Sequence, residues 1–262
     1  MTDCAVSAEK FVFIQANFWE GRLYYPLVRF LNREQPHILS VQELMSGDVL
    51  VQPGYLTQEA LFKENLVDDV AEGPPRSWMM FRQNLYRQRC ATFTNGQAKI
   101  ISINHVVLYR NTDDMSDRET EYAAYTGLLH TVIELGNAGT VHVLNHHGRL
   151  VIDKRMGSDI ADYNFQKIAA YIATLNGGVI LSGDFNLVKE ASSLQPLKDL
   201  GLCNLNDLYG ITEVRNEFAW KSDEAVSHIF VNDRIDIADY KVATDNVSDH
   251  LPLILHFGLK DI

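Results

Sequence analysis

Five stretches of this chain place metal-ligating or acid–base side chains directly beside apolar runs. Asn17 follows Phe11-Val12-Phe13-Ile14, Glu43 follows Ile38-Leu39-Ser40-Val41, and His147 follows the run from Val141 to Asn145. Asp184 and Asn186 come after Val179-Ile180-Leu181, and Asp249-His250 stand just before the run from Leu251 to Phe257. Carboxylates are hard ligands that favour Mg²⁺ or Mn²⁺ over Zn²⁺. A carboxylate or an imidazole can orient or deprotonate water. A second imidazole and an amide can stabilise charge on phosphoryl oxygens. Together these residue types suit hydrolysis of a phosphate ester. Each stretch alone has an ordinary explanation. Gly183-Asp184-Phe185-Asn186 reads as an Asx turn closing a strand, Glu43 as a surface acid, His146 and His147 as satisfied loop histidines, and Asp249-His250 as a turn pair. Five such endings in one chain are what those explanations leave over.

The elements that must carry these residues are read from periodicity. Short apolar runs bounded by glycine or polar clusters predict buried strands, and a strand end is where a mixed sheet places a site. On extended backbone Asp184 and Asn186, two apart, share a face. Leu23, Leu27, Phe30 and Leu31 have helical spacing, with Pro26 tolerated in the first turn and Pro36 as a stop. Ala161, Phe165, Ile168, Ile172 and Leu175 define a second helical face, with Ser158 or Asp159 as cap and Gly177 as terminator. A third helix is predicted from Ser192 to Leu200, complicated by Pro196, and a fourth from Leu56 to Leu66. Strands are predicted from Ile100 to Tyr109, Leu128 to Leu135, Ile229 to Val231 and Tyr240 to Val242. Asn95-Gly96 and Gly136-Asn137-Ala138-Gly139 are hairpin signals. Asn111 to Glu121 reads as an acidic surface loop, and from Ser46 to Arg89 the pattern is weak. Strands and helices interleave from end to end with no linker or repeat, which predicts a single α/β domain over residues 1–262.

The chain has 262 residues, 46% hydrophobic and 22% charged, enough to bury a core without staples. Three cysteines, Cys4, Cys90 and Cys203, are widely spaced, and the N-terminus lacks the pattern of a signal peptide. The expectation is a cytoplasmic protein with reduced thiols and no membrane span, in which the sequon at Asn246 is chance. A formal charge of -11 disfavours tight non-specific binding of nucleic acid, although it leaves room for a local basic rim. Arg82, Arg87 and Arg89 among Phe81, Tyr86 and Phe93 read either as such a rim or as a half-exposed strand. Arg149, Lys154 and Arg155 could touch substrate phosphates or form a solvated loop, and Arg149 is taken as the substrate-binding candidate. There is no Gly-x-Ser-x-Gly elbow, no phosphate-binding Gly-x-x-x-x-Gly-Lys loop and no His-Glu-x-x-His pair.

Gln42-Glu43 after a strand, Asn145-x-His147, Gly183-Asp184-Phe185-Asn186 and Ser248-Asp249-His250, in this order, resemble the endonuclease/exonuclease/phosphatase superfamily with its deoxyribonuclease-I-like fold. The resemblance runs from about Phe11 to Phe257. It implies a four-layer α-β-β-α sandwich, two packed mixed sheets flanked by helices. It also implies that Glu43 is the principal ligand of Mg²⁺ (or Mn²⁺), with Asn17 and Asp249 near the metal or its waters. Asp184 would orient or deprotonate the attacking water, and Asn186 would hold a phosphate oxygen and help place Asp184. His147 and His250 would flank the phosphate.

One position departs from the family pattern. An Asp that pairs with the final His normally precedes the penultimate apolar triplet; here Ser227-His228 precedes Ile229-Phe230-Val231. Arg234-Ile235-Asp236 imitates the missing motif but lies too near His250 in the chain to leave room for a strand and loop. Serine can hydrogen-bond an imidazole but cannot balance an imidazolium. His250 is therefore expected to be less basic than in typical members, with activity reduced or its pH optimum lowered. The resulting expectation is a divalent-metal-dependent phosphodiesterase, foremost a nuclease acting on nucleic acid. A phosphatase or phospholipid-head-group phosphodiesterase is the alternative, and a catalytically weakened binder of phosphorylated ligands a second.

Overall fold

The computed structural model describes residues 10–46, 57–74, 77–81, 84–109, 126–150, 155–219 and 224–260. Strand β1 (Phe11–Asn17), helix α1 (Tyr24–Glu34) and strand β2 (Ile38–Ser46) form a right-at-the-start βαβ unit whose strands run parallel. After α2 (Gln58–Lys63) come β3 (Asp69–Glu72), β4 (Ser77–Phe81), β5 (Asn84–Thr94) and β6 (Ala98–Tyr109). A second parallel unit follows, in which β8 (Thr140–His146), α3 (Asp159–Ile172) and β9 (Gly178–Asp184) succeed β7 (Thr126–Leu135). The chain closes with α4 (Gln195–Asp199), β10 (Cys203–Asn204), α5 (Leu205–Leu208), β11 (Ser227–Val231), β12 (Ile235–Val242) and β13 (Leu253–Leu259).

The strands make two sheets. One has the order β12-β13-β1-β2-β5-β3 with β4 also on β5, and the other the order β10-β11-β9-β8-β7-β6. Each holds one parallel pair at its middle and is otherwise antiparallel. Phe11, Phe13, Ile38, Val141, Val143, Ile180, Ile229 and Leu255 fill the space between the sheets. Leu27, Phe30 and Leu31 of α1 and Leu61 of α2 cover the outer face of the first sheet, against Ile14, Leu39 and Val41. Phe165, Ile168 and Ile172 of α3 and Leu197 of α4 cover the second, against Leu144, Val179, Leu181 and Phe230. The architecture is thus an α-β-β-α sandwich, as expected. No helix among the described residues is long and apolar enough to cross a membrane.

The helix signals act through their stated chemistry. Ser158 Oγ accepts from the Ala161 N–H at 3.2 Å and caps α3. Gln35, left-handed at φ 44, ends α1 immediately before Pro36. The predicted third helix divides at its proline, into a 3₁₀ turn at Ser192–Leu194 and α4, which has Pro196 in its first turn.

One expectation fails. The turn at Asn95-Gly96 forms, with Gly96 at φ 65, but it does not close a hairpin. Both edges of β5 are already taken, by β2 on one side and by β3 and β4 on the other. β6 therefore crosses to the other sheet and pairs with β7. The second hairpin is real: β7 and β8 pair through Glu134 and Thr140 around the Gly136–Gly139 turn. The loop expected at Asn111 to Glu121 lies outside the described residues, as do Leu56, Arg82, Lys154 and the side chain of Arg87.

Two glycines let the ends of β8 and β9 touch backbone to backbone. A Cβ on Gly183, which sits at φ 153, would stand 1.7 Å from the His146 carbonyl oxygen. A Cβ on Gly148 would stand 2.0 Å from the Phe185 carbonyl oxygen. The Gly148 N–H donates to the Asp184 carbonyl at 2.7 Å. Gly183→Ala must separate these backbones and is expected to lower unfolding free energy by roughly 3 kcal/mol or more. Gly96→Ala, also at positive φ but with nothing within 4 Å, should cost only about 1–2 kcal/mol. Urea unfolding of the two variants measures the contrast, and equal losses would mean that the close approach at Gly183 carries no weight.

Candidate active site

The pleat delivers the polar residues. Alternate residues of a strand share a face. In β1 the inter-sheet face reads Phe11, Phe13, Gln15, Asn17, and in β2 it reads Ile38, Ser40, Gln42. From β8 the same face continues Val141, Val143, Asn145 and then His147; from β9 it continues Ile180, Ser182, Asp184. Along every one of these strands the space between the sheets turns from apolar to buried amide or hydroxyl, and along β8 and β9 it ends in an ionisable group, His147 and Asp184.

The middle layer is hydrogen-bonded across the two sheets. Gln15 Nε2 donates to Gln42 Oε1 at 2.6 Å, and Gln42 Nε2 to Asn145 Oδ1 at 2.8 Å. Asn145 Nδ2 donates to the carbonyls of Val41 at 3.0 Å and Ala91 at 2.9 Å. Ser182 Oγ donates to Ser40 Oγ at 2.9 Å.

Glu43 enters by a different route. Simple alternation would send it to the α1 side, with Leu39 and Val41. Instead the β2–β5 ladder breaks between Val41 and Leu44, a bulge, and Glu43 takes φ 56. A bulge re-aims a side chain, and here it turns Glu43 into the site. Asn186, at φ 56, is the second left-handed residue at the site. Its backbone N–H donates to Asp184 Oδ1 at 3.0 Å, the Asx turn read from the sequence.

The ligand atoms of Glu43, His147 and Asp184 all lie within 4.8 Å of one another. Asn17 Nδ2 donates to Glu43 Oε1 at 3.1 Å and to Asp184 Oδ2 at 3.2 Å. Nε2 of His147 and Nε2 of His250 each stand 3.6 Å from Asp184 Oδ2. Ser227 Oγ meets His250 Nδ1 at 3.0 Å, and Ser227 pairs in register with Asp184. This is the place read for Ser227 in the sequence; Asp236 of the rival motif is exposed on β12. Asp249 sits apart from the three-residue group. It lies 3.5 Å from Arg215 Nη2 and accepts from Ser248 Oγ at 3.2 Å.

Arginines complete the rim, and the sequence pointed to them unevenly. Arg155 Nη1 donates to the carbonyl and Oδ1 of Asn186 at 3.1 and 2.6 Å, so it fixes Asn186 rather than facing solvent. Asn186 Nδ2 donates to the Gly148 carbonyl at 3.2 Å. Arg215, mostly buried and bridged to His250 through the backbone, was not picked out from the sequence. No apolar run or motif surrounds it. Its Nε has no hydrogen-bond partner among the described residues. Arg149 is exposed beside the site, and Arg89 is spent on an ion pair with Glu72.

Burial alone would raise the Asp184 carboxyl, but His250, His147, the Asn186 amide and Arg215 outweigh it and hold it at about 2. His250 moves below its ordinary value because burial disfavours the imidazolium more than Asp184 and Asp249 favour it. His228, behind the site, is pushed down to about 4 by burial. It stacks on Phe185 and bonds the Leu187 carbonyl and Asn206 as a neutral ring.

No protein-family model matches the sequence, and a search of curated proteins gives no match. Solved structures do match. An endonuclease/exonuclease/phosphatase from Beutenbergia cavernae superposes with a TM-score of 0.74 at 11% identity, over 95% of this chain and 72% of that one. ANGEL2, a 2′,3′-cyclic phosphatase in complex with adenosine-2′,3′-vanadate, gives 0.71 at 16% identity over 97% of both chains. The chain has the deoxyribonuclease-I-like fold of these structures. D. rerio TDP2, complexed with single-strand DNA product, shares this fold at a TM-score of 0.67 and 12% identity, over 95% of this chain and 99% of that one.

Within the deoxyribonuclease-I-like fold, the Ser227–His250 pair gives a direct test. A carboxylate at position 227 would favour the imidazolium, whereas serine leaves burial to dominate. His250 should titrate below 6.5 by NMR, and Ser227→Asp should raise that midpoint by about one unit or more. Because the folded value lies below the unfolded one, His250 costs no stability above pH 6.5 and costs increasingly as pH falls below it. Identical midpoints in the two proteins would remove Ser227 from the control of His250.

Proposed function

We propose that this chain hydrolyses phosphate esters with the aid of a divalent cation, and that its substrates are phosphodiesters, nucleic acid foremost. The observation that carries the reading is the convergence of Glu43, His147 and Asp184 within 4.8 Å, with His250 on the same Asp184 oxygen. The two carboxylates offer the hard oxygen donors that suit Mg²⁺ or Mn²⁺. Glu43 and Asp184 would hold the ion, with Asn17 beside both and His147 within reach; Asp249 would act at longer range through its contact with Arg215. A bound divalent ion supplies positive charge that offsets the charge on phosphoryl oxygens.

The remaining chemistry belongs to the chain. Asp184 Oδ1 is occupied by the Asn186 amide, so Oδ2 is the oxygen that faces the site. A carboxylate held near 2 is a weak base, and its task is to orient water rather than to keep a proton. Ser227 can donate or accept, so both neutral tautomers of His250 are open. With Ser227 donating to Nδ1, the Nε2–H points to the Asp184 side and can donate to a phosphoryl oxygen. His147 is placed to do the same from the other flank. Arg215 adds a mostly buried guanidinium with hydrogen-bonding capacity left over.

ANGEL2 and TDP2, whose structures hold adenosine-2′,3′-vanadate and single-strand DNA product, support nucleic acid over a lipid head group. The weakened-binder reading rested on Ser227, and the 3.0 Å contact that keeps His250 in place speaks for an enzyme.

Hydrolysis of bis(p-nitrophenyl) phosphate with Mg²⁺ or Mn²⁺, with and without chelator, tests the proposal. Turnover should need the metal, and Asp184→Asn should lower it by about 10²–10⁴-fold. Arg215→Ala should lower it by about 10²-fold. Glu43→Gln should weaken metal binding measured by calorimetry. Absence of both metal binding and turnover across phosphodiesters and phosphomonoesters would sink the reading.

A further inference from the structure

Two loops leave the site and meet over a pair of aromatic rings. The first follows β1. Asn17 Oδ1 accepts from the Trp19 N–H at 2.9 Å, and the buried Phe18 is tied by its N–H to the Gln42 carbonyl at 2.9 Å. Trp19 and Glu20 then sit at φ 47 and 62. A left-handed bulky residue is an outlier that persists only where its surroundings over-determine it. Trp19 itself is only partly buried. The second loop starts at Arg215, which bridges His250. Asn216 is tied to the Asp249 carbonyl at 3.4 Å and, through Nδ2, to the Ser248 carbonyl at 2.7 Å. Asn216 Oδ1 in turn accepts from the Phe218 N–H at 3.0 Å.

The indole of Trp19 and the ring of Phe218 lie stacked, with centroids 6.2 Å apart and planes 18° from parallel. The Arg22 guanidinium stands over the indole at 4.7 Å, in an ion pair with Glu20. Phe218 is still 45% exposed. A scattered surface aromatic needs no explanation. This pair differs because each partner is hydrogen-bonded, within two or three residues, to groups of the site, and because a strained backbone holds one of them in place.

We propose that Trp19 and Phe218 form a stacking subsite for a planar group attached to the scissile phosphate, a nucleobase. The inference rests on the phosphodiesterase reading and deepens it: the substrate is a nucleotidyl ester, and its base is held without hydrogen-bond readout. A stacked platform accepts any base, because every base has a π face. Arg215, at the root of the Phe218 loop, is bridged to His250 and paired with Asp249, which ties this loop to the site.

Two esters with the same leaving group test the subsite: thymidine 5′-(p-nitrophenyl phosphate) and methyl p-nitrophenyl phosphate. In each, water adds to phosphorus and p-nitrophenolate departs, so only the retained group differs. The thymidine ester should show a KM lower by roughly tenfold, Phe218→Ala should abolish that advantage without changing the methyl ester, and Phe218→Tyr should restore it. Equal losses on both esters, or none on either, would overturn the subsite. Calorimetry supplies a readout free of turnover. Adenosine 5′-monophosphate should bind roughly tenfold more tightly than inorganic phosphate to the wild type, and equally to Phe218→Ala. Nucleotide preference without hydrolysis of any ester would defeat the phosphodiesterase reading and leave the subsite standing. Hydrolysis without nucleotide preference would defeat the subsite alone.

Discussion

Asn145 reaches from one sheet into the other and donates to the carbonyls of Val41 and Ala91, where the β2–β5 ladder breaks. A bulge leaves backbone groups without ladder partners, and a buried carbonyl left unpaired costs about 1–3 kcal/mol. Asn145 removes that cost, and Gln42, itself bonded to Gln15, fixes its amide. The bulge is what turns Glu43 toward Asp184. Asn145 is also two residues before His147, on the same face of the chain leaving β8. One side chain thereby couples the aim of the carboxylate from the first sheet to the position of the imidazole from the second. The site is a junction between sheets, and its geometry is as firm as the amide layer beneath it.

That layering explains what was legible in the sequence. The strands that reach the site and the polar residues at their ends followed from apolar runs and their polar terminations, because the pleat carries one face from core to site without interruption, whereas β3, β4 and β10 left no such pattern. Asp184, Asn17 and His147 obey this rule. Glu43 does not: its place at a strand end marked it in the sequence, but simple alternation assigns its side chain to the helix side. The bulge that corrects its direction depends on partners more than forty residues away, Ala91 and Asn145, and no local pattern announces it. The same limit applies to Asn95-Gly96. Local turn chemistry was read correctly, while sheet membership was decided by which edges of β5 were already filled. Arg215 and Phe218 were invisible for a related reason. They lie in a loop without periodicity and acquire meaning through Asp249, His250 and Trp19, contacts made only once the chain has folded.

Non-glycine residues at positive φ concentrate around the site. Trp19, Glu20, Glu43 and Asn186 are four of the six among the described residues. Each such residue costs of order 1–3 kcal/mol unless side-chain hydrogen bonding relieves it. Asn186 is relieved by its own Asx turn with Asp184 and by Arg155. Trp19 is held by Asn17. The residues that bear the strain are therefore anchored to the residues that would do the chemistry, so loosening one displaces the other.

The distribution of charge follows the same economy. The chain carries -11 overall, yet two mostly buried arginines, Arg155 and Arg215, lie within electrostatic reach of Asp184. Their positive field is confined to the cleft, where low dielectric makes it strong, and falls off over the acidic exterior. It also lightens the task of His250. Where an aspartate would stabilise an imidazolium, Ser227 leaves burial to favour a neutral ring, and in the proposed reaction the positive charge facing a phosphoryl group would fall to guanidinium. On that proposal the serine belongs to a different division of labour: imidazole for hydrogen bonding, arginine for charge, and an aspartate kept ionised between them.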